Sequence, residues 1–380
     1  MKKLISDFES CAARNFDKID NMGILSPNSA QFISSALESF LIQKNENGYF
    51  YIDQETLWTS FLYEPFPRSF WPIYTRHNLS TIICDECLLN VIKNFQYILE
   101  MLHTIGFKYE AVYIAGYEKT IEYLSTHLDI INQCIKLPLN NKFGFSAPNI
   151  KEGEYIKFFT IYKNKFFSIA DITISRSKDF NGFFSDSFLF VDNILIIQSG
   201  LETKYELKKY DEIKNILNRT DVFYENSHLE LLLAIKKCMD LGLSFGARGR
   251  NYLVKEMLKI FFYQRGTNDF EFWTEFCGKE RIKRINEIYV RETKIFTHSL
   301  DLAAKKKRYD IRWKEQFGIT KKTYDFAYKT VLGEEMLLDL YPQIIDIYVD
   351  DSMPTFELVK KLDEFLIKDA QSLSIELYDL

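Results

Sequence analysis

Between Gly242 and Met257 the chain reads GLSFGARGRNYLVKEM, three glycines and two arginines set ahead of a helical pattern. Gly242, Gly246 and Gly249 can take backbone angles that other residues avoid. Arg248 and Arg250 carry the planar fork that grips phosphate through parallel hydrogen bonds. A helix starting near Asn251 would aim its first unbonded N–H groups at an anion. The spacing is G-x-x-x-G-x-x-G, without the Lys-Ser/Thr that closes a Walker loop. It also follows a helical stretch, HLELLLAIKKCMDLGL, where a phosphate loop would follow a strand. The plainer expectation is a glycine that caps one helix and leads into the next. The two arginines keep an anion-binding role open.

A second concentration of cations lies downstream. From Lys279 to Thr323 there are 14 Lys/Arg against 6 Asp/Glu, and from Tyr324 to Leu380 only 4 against 13. In ERIKRINEIYVRETKIFTHS an apolar stripe at Ile282, Ile285, Tyr289 and Ile295/Phe296 predicts a helix with Arg284, Arg291 and His298 on or near its wet side. Four consecutive cations follow, Lys305, Lys306, Lys307 and Arg308, and then Trp313. Cations interleaved with aromatics suit a nucleic-acid backbone. The alternatives are a solvated helix surface, or one neutralised by the acidic end folding against it.

Within this block, Arg291 and His298 fit R-x6-H, a pattern that resembles the motif of HEPN-type helical ribonucleases. In those enzymes such pairs from two protomers face RNA. A seven-residue step is about two helical turns, so both side chains share a face. The resemblance spans eight residues, and Glu292 stands where the family usually places another polar residue. It implies Arg291 and His298 as a catalytic pair, and a homodimer or larger complex as the assembly.

Other candidates are thinner. Leu57–Tyr74 holds seven aromatics with Pro65, Pro67 and Pro72, so it cannot run as one helix. Trp58 and Trp71 could wall a pocket for a sugar or base with Arg68 as its anchor, and core packing explains the rings equally well. Cys84-x-x-Cys87 lacks the second pair of a structural zinc site. The five histidines are not spaced as metal ligands, so neither metal nor cofactor is expected. In FLFVDNILIIQSG an acid precedes a strand pattern in the manner of PD-(D/E)xK nucleases. Gln198-Ser199-Gly200 occupies the place of the required Glu-x-Lys, which excludes that chemistry.

The elements that must position these residues read as α+β and predominantly α-helical, with a small antiparallel β-meander mid-chain. Residues 1–150 are expected to be helical with one short βα unit built on YEAVYIAGYEKTIEYLSTHL, and 151–203 to form the meander. Turns are expected at Lys163–Asn164–Lys165 and at Asp192–Asn193. Residues 204–380 are expected to be helical, with the basic block at 279–323 and the acidic end at 324–380. Six scattered cysteines and no long apolar run point to a cytoplasmic protein without a membrane span. Three functions remain open. The first is binding or processing of a polyanion, foremost nucleic acid. The second is transfer chemistry on a phosphate-bearing small molecule such as a nucleotide or nucleotide-sugar. The third is a non-catalytic interaction role.

Overall fold

Strand pairing dominates the first half of the chain. The computed structural model describes residues 1–27, 32–33, 36–44, 46–57, 75–108, 111–136, 144–147, 150–163, 165–177, 182–224, 226–264, 266–305, 307–325 and 327–328. Among these, nine strands form one mixed sheet: β1 (Asp17–Lys18), β2 (Gly48–Leu57), β3 (Thr75–Asp85), β4 (Tyr113–Ala115), β5 (Ile135–Lys136), β6 (Gly144–Ala147), β7 (Ile150–Tyr162), β8 (Lys165–Ser177) and β9 (Phe183–Phe190). The order is β1-β2-β3-β9-β8-β7-β4-β5, with β6 beside β7. The middle of the sheet is antiparallel, while β1 on β2 and β4 on β5 are parallel.

This corrects the expected fold class. The meander is not a small insert in a predominantly helical chain, because β7, β8 and β9 are the middle of a sheet whose other half is β1, β2 and β3. The missed strand is β3, TRHNLSTIICD, which is buried along nearly its whole length. A strand covered on both faces loses the polar–apolar alternation that announces a half-exposed one. A second correction concerns FLFVDNILIIQSG. Its strand stops at Phe190, and a helix, Val191–Ser199, replaces the expected turn at Asp192–Asn193. A short continuous apolar run does not distinguish strand from buried helix. The hairpin after β7 does form, with Lys163 at a positive φ of 50°; Asn164 lies outside the described residues.

The helices are α1 (Lys2–Ala12), α2 (Ala36–Gln43), α3 (Leu88–Val91), α4 (Asn94–Thr104), α5 (Glu118–His127), α6 (Val191–Ser199), α7 (Asp211–Arg219), α8 (Asn226–Asp240), α9 (Gly249–Tyr263), α10 (Phe270–Cys277), α11 (Lys279–Ala304) and α12 (Arg312–Phe317). Strand β4, helix α5 and the parallel strand β5 follow one another in the chain. Helices α1 and α4 cover one face of the sheet through Phe8, Phe95 and Leu102 against Leu79, Phe158 and Ile172. On the other face α2 covers one end, with Phe40 on Phe50, Ile52 and Ile82. The second half of the chain packs α7–α11 around the fully buried Trp273. Among the described residues no helix is long and apolar enough to cross a membrane.

A charged cluster ties the sheet to the helices. His77 on β3 contacts Asp53 and lies 3.9 Å from Glu55, which pairs at 2.7 Å with Lys237 of α8. Burial pulls the His77 pKa down, but hydrogen bonds and attraction from Asp53 and Glu55 outweigh it and lift the pKa to about 9. The His77 bond lowers Glu55 to about 2, burial opposing and Lys237 assisting. Folded His77 therefore keeps its proton to about pH 9, whereas an unfolded one loses it near 6.5. Its contribution is complete below pH 6.5 and fades as pH rises through 9. That of Glu55 is complete above 4.5 and fades as pH falls through 2. His77→Gln should lower stability by on the order of 2–3 kcal/mol in mildly acidic buffer. Urea midpoints should show the deficit shrinking between pH 6.5 and 9; a deficit that does not change with pH would remove this role.

Candidate functional site

The Gly242–Arg250 stretch is a helix junction in which the amides of Gly242, Leu243, Ser244 and Gly246 are bonded within the junction itself. Gly242, at φ +81°, donates its N–H to Met239 at 2.9 Å, and Leu243 donates to Cys238 at 3.1 Å, which closes the end of α8. Asn251 then holds the loop: its side-chain oxygen accepts from the Ser244 N–H at 2.8 Å and its carbonyl from the Gly246 N–H at 3.0 Å. A side chain at Gly246 would bring a Cβ within 2.6 Å of that of Asn251. Arg248 is exposed, and Arg250 donates to the carbonyl of Ser26.

Arg284 joins this junction to the basic block. From α11 it reaches the Phe245 carbonyl at 3.4 Å and pairs with Glu287 at 2.9 Å. Helix α11 is 26 residues long and buries Ile282, Ile285, Ile288, Phe296 and Leu302. Its opposite side is wet. At 3.6 residues per turn, Lys283, Glu287, Val290, Lys294, Asp301 and Lys305 fall within about 60° of one another, and Arg284 and Arg291 border them. All of these are exposed. Lys283 to Lys305 spans about 33 Å along the helix axis. Lys307 and Arg308 extend the row beyond the C-terminus of α11 and are exposed. Cations at a helix C-terminus also complement its partial negative charge. Lys306 lies outside the described residues.

Arg291 and His298 share the helix but not a contact. Arg291 forks onto its neighbour Glu292 at 2.9 and 2.5 Å. Glu292 is buried and also takes Lys259 at 3.3 Å and the Tyr263 hydroxyl at 3.1 Å, fastening α9 to α11. His298 sets its ring edge-on against Phe317, with centroids 4.7 Å apart. Among the described residues no hydrogen bond joins Arg291 to His298. Cys84 is buried and its thiol is pushed up to about 12 by burial, while Cys87 is exposed at the start of α3. Trp58, Arg68 and Trp71 lie outside the described residues, as does the chain beyond Tyr328.

Sequence reasoning missed the polar interior of the sheet. On the face toward α4, Thr81, Asn94, Ser185 and Ser187 bond one another: Asn94 Nδ2 donates to Ser185 at 3.1 Å, and the Thr81 hydroxyl donates to Asn94 at 2.6 Å. The alternate residues of the same strands present Arg76, Asn78 and Ser80 from β3, Asp186, Phe188 and Phe190 from β9, Asp171, Thr173 and Ser175 from β8, and Tyr155 and Lys157 from β7. There Lys157 lies 3.4 Å from Asp171, and Arg76 lies over the Phe190 ring at 5.6 Å. Burial pushes the Asp186 carboxyl up to about 8, with a bond from the Leu37 backbone opposing it. The signal was legible in β8, where D-x-T-x-S sets polar residues at every second position between isoleucines.

No protein-family model matches this chain, and no curated protein does. Among solved structures it is similar to apo histidyl-tRNA synthetase from S. aureus, at 8% sequence identity and a TM-score of 0.38, over 58% of this chain and 78% of that one.

Proposed function

We propose that this chain binds a polyanion, nucleic acid foremost, along the exposed face of α11. The observation that carries this reading is the row Lys283, Arg284, Arg291, Lys294 and Lys305, exposed on one side of a single helix and prolonged by Lys307 and Arg308. A rigid helix holds these cations in a line without further ordering of the backbone, so little entropy is lost when a linear polyanion docks. Two carboxylates, Glu287 and Asp301, interrupt the row, which suits moderate affinity more than tight binding. Arg291 is anchored by Glu292, so its proposed part is in positioning a backbone and not in catalysis. The experiment is fluorescence anisotropy with single- and double-stranded oligonucleotides across a salt series. Affinity should fall with a log–log slope of about −3 to −4, as for four or so neutralised phosphates. A response flat in salt would remove the reading.

A further inference from the structure

The sheet face bearing Arg76 and Asp186 holds polar atoms that none of the described residues satisfies. Asn78, Ser80, Ser175 and Asp186 are each at most 5% exposed. Among the described residues, Asn78 Oδ1, Ser80 Oγ, Ser175 Oγ and Asp186 Oδ1 have no hydrogen-bond partner. Buried polar atoms left bare oppose folding, so their clustering calls for a physical account. Register makes three of them neighbours. Asp186 stands opposite Ile82 and Ser80 opposite Phe188, which puts Ser80 one diagonal step, about 7–8 Å, from Asp186. Asn78 is the next same-face residue along β3, about 7 Å further. Tyr155, Thr173 and Phe188 on this face are only half-buried, so solvent reaches its middle.

We propose that this face is a binding site for a small polyhydroxylated molecule, a sugar taken free or as the sugar part of a phosphorylated compound. Ligand hydroxyls donate to Asn78 Oδ1 and Asp186 Oδ1 and accept from the Ser80 hydroxyl, and the C–H side of the ring lies on Phe188. A polyol fits better than an amine because each hydroxyl both donates and accepts, as Ser80 requires. A carboxyl that burial keeps protonated near neutral pH, as at Asp186, has the same dual character. The positive groups Arg76 and Lys157 stand on the same face, Arg76 two residues beyond Asn78 along β3 and Lys157 across the sheet beside Asp171, and either is of the charge a phosphate substituent requires. The site is separate from the α11 face and stands or falls without it.

The test uses the full chain in thermal-shift and calorimetric titrations with three sets at millimolar concentration: free pentoses, hexoses and inositol; sugar phosphates; and nucleotides. Inorganic phosphate is the control. A rise in Tm with free sugars assigns the polyol alone, and a rise only with phosphorylated compounds assigns the polyol with its phosphate. Ser80→Ala and Asp186→Ala should each weaken binding tenfold or more. Ser80→Ala should also leave the ligand-free Tm unchanged or raise it, since it removes a hydroxyl without a partner among the described residues; this variant keeps the test open if Asp186→Ala fails to fold. Four results each overturn the proposal: silence across all three sets, an equal shift with inorganic phosphate, binding indifferent to both substitutions, or a clear loss of ligand-free stability in Ser80→Ala.

Discussion

Reversing Lys283, Lys294 and Lys305 to glutamate together is expected to lower oligonucleotide affinity at low salt by a factor of about one hundred or more and to flatten the salt slope by about three. The three residues are exposed and lie on one side of α11, so the substitutions leave Ile282, Ile285, Ile288 and Phe296 packed as before. The helix should keep its fold, and circular dichroism with an unchanged urea midpoint would establish that. The size of the effect follows from removing three positive charges and adding three negative ones within about 33 Å of a polyanion. A control at Arg312 separates charge from place. Arg312 is exposed and already held by Asp310, whose carboxyl its hydrogen bonds lower to about 2. Arg312→Gln should therefore change binding little. If the triple reversal binds as the unaltered protein does, the α11 face is not the interface.

The largest stability effect is expected at Glu230. Lys204 and Glu230 are 1% and 0% exposed and lie 3.3 Å apart, and Glu230 also accepts from the Tyr210 hydroxyl. Taking either charge out of water is expensive, and each tolerates burial because of the other. Glu230→Ala should cost about 3–5 kcal/mol, because it takes away the buried carboxylate that faces the Lys204 ammonium and accepts from the Tyr210 hydroxyl. Replacing both, Lys204→Met with Glu230→Leu, should recover most of that loss or exceed it. The exposed pair Arg284–Glu287 provides the contrast: at 2.9 Å it is closer, yet both side chains are about half exposed. Glu287→Ala there should cost less than about 1 kcal/mol. Chemical denaturation of the four proteins measures the ranking. Equal losses at Glu230 and Glu287 would show that burial does not set the worth of these pairs.

Local chemistry was legible in the sequence where a feature depends on a few consecutive residues. The glycine that ends α8, the hairpin at Lys163 and the wet, cationic side of α11 follow from backbone freedom at one residue or from a helical period, and both are written along the chain. Features set by distant neighbours were not legible. Whether TRHNLSTIICD is a strand depended on β2 and β9 lying on either side of it. Whether Glu292 faced water depended on Lys259 and Tyr263 from another helix. Whether Asn78, Ser80 and Asp186 share a face depended on the register between β3 and β9. Periodicity fixes which side of an element is wet only when one side is; a strand enclosed on both sides takes its surroundings from the tertiary structure alone.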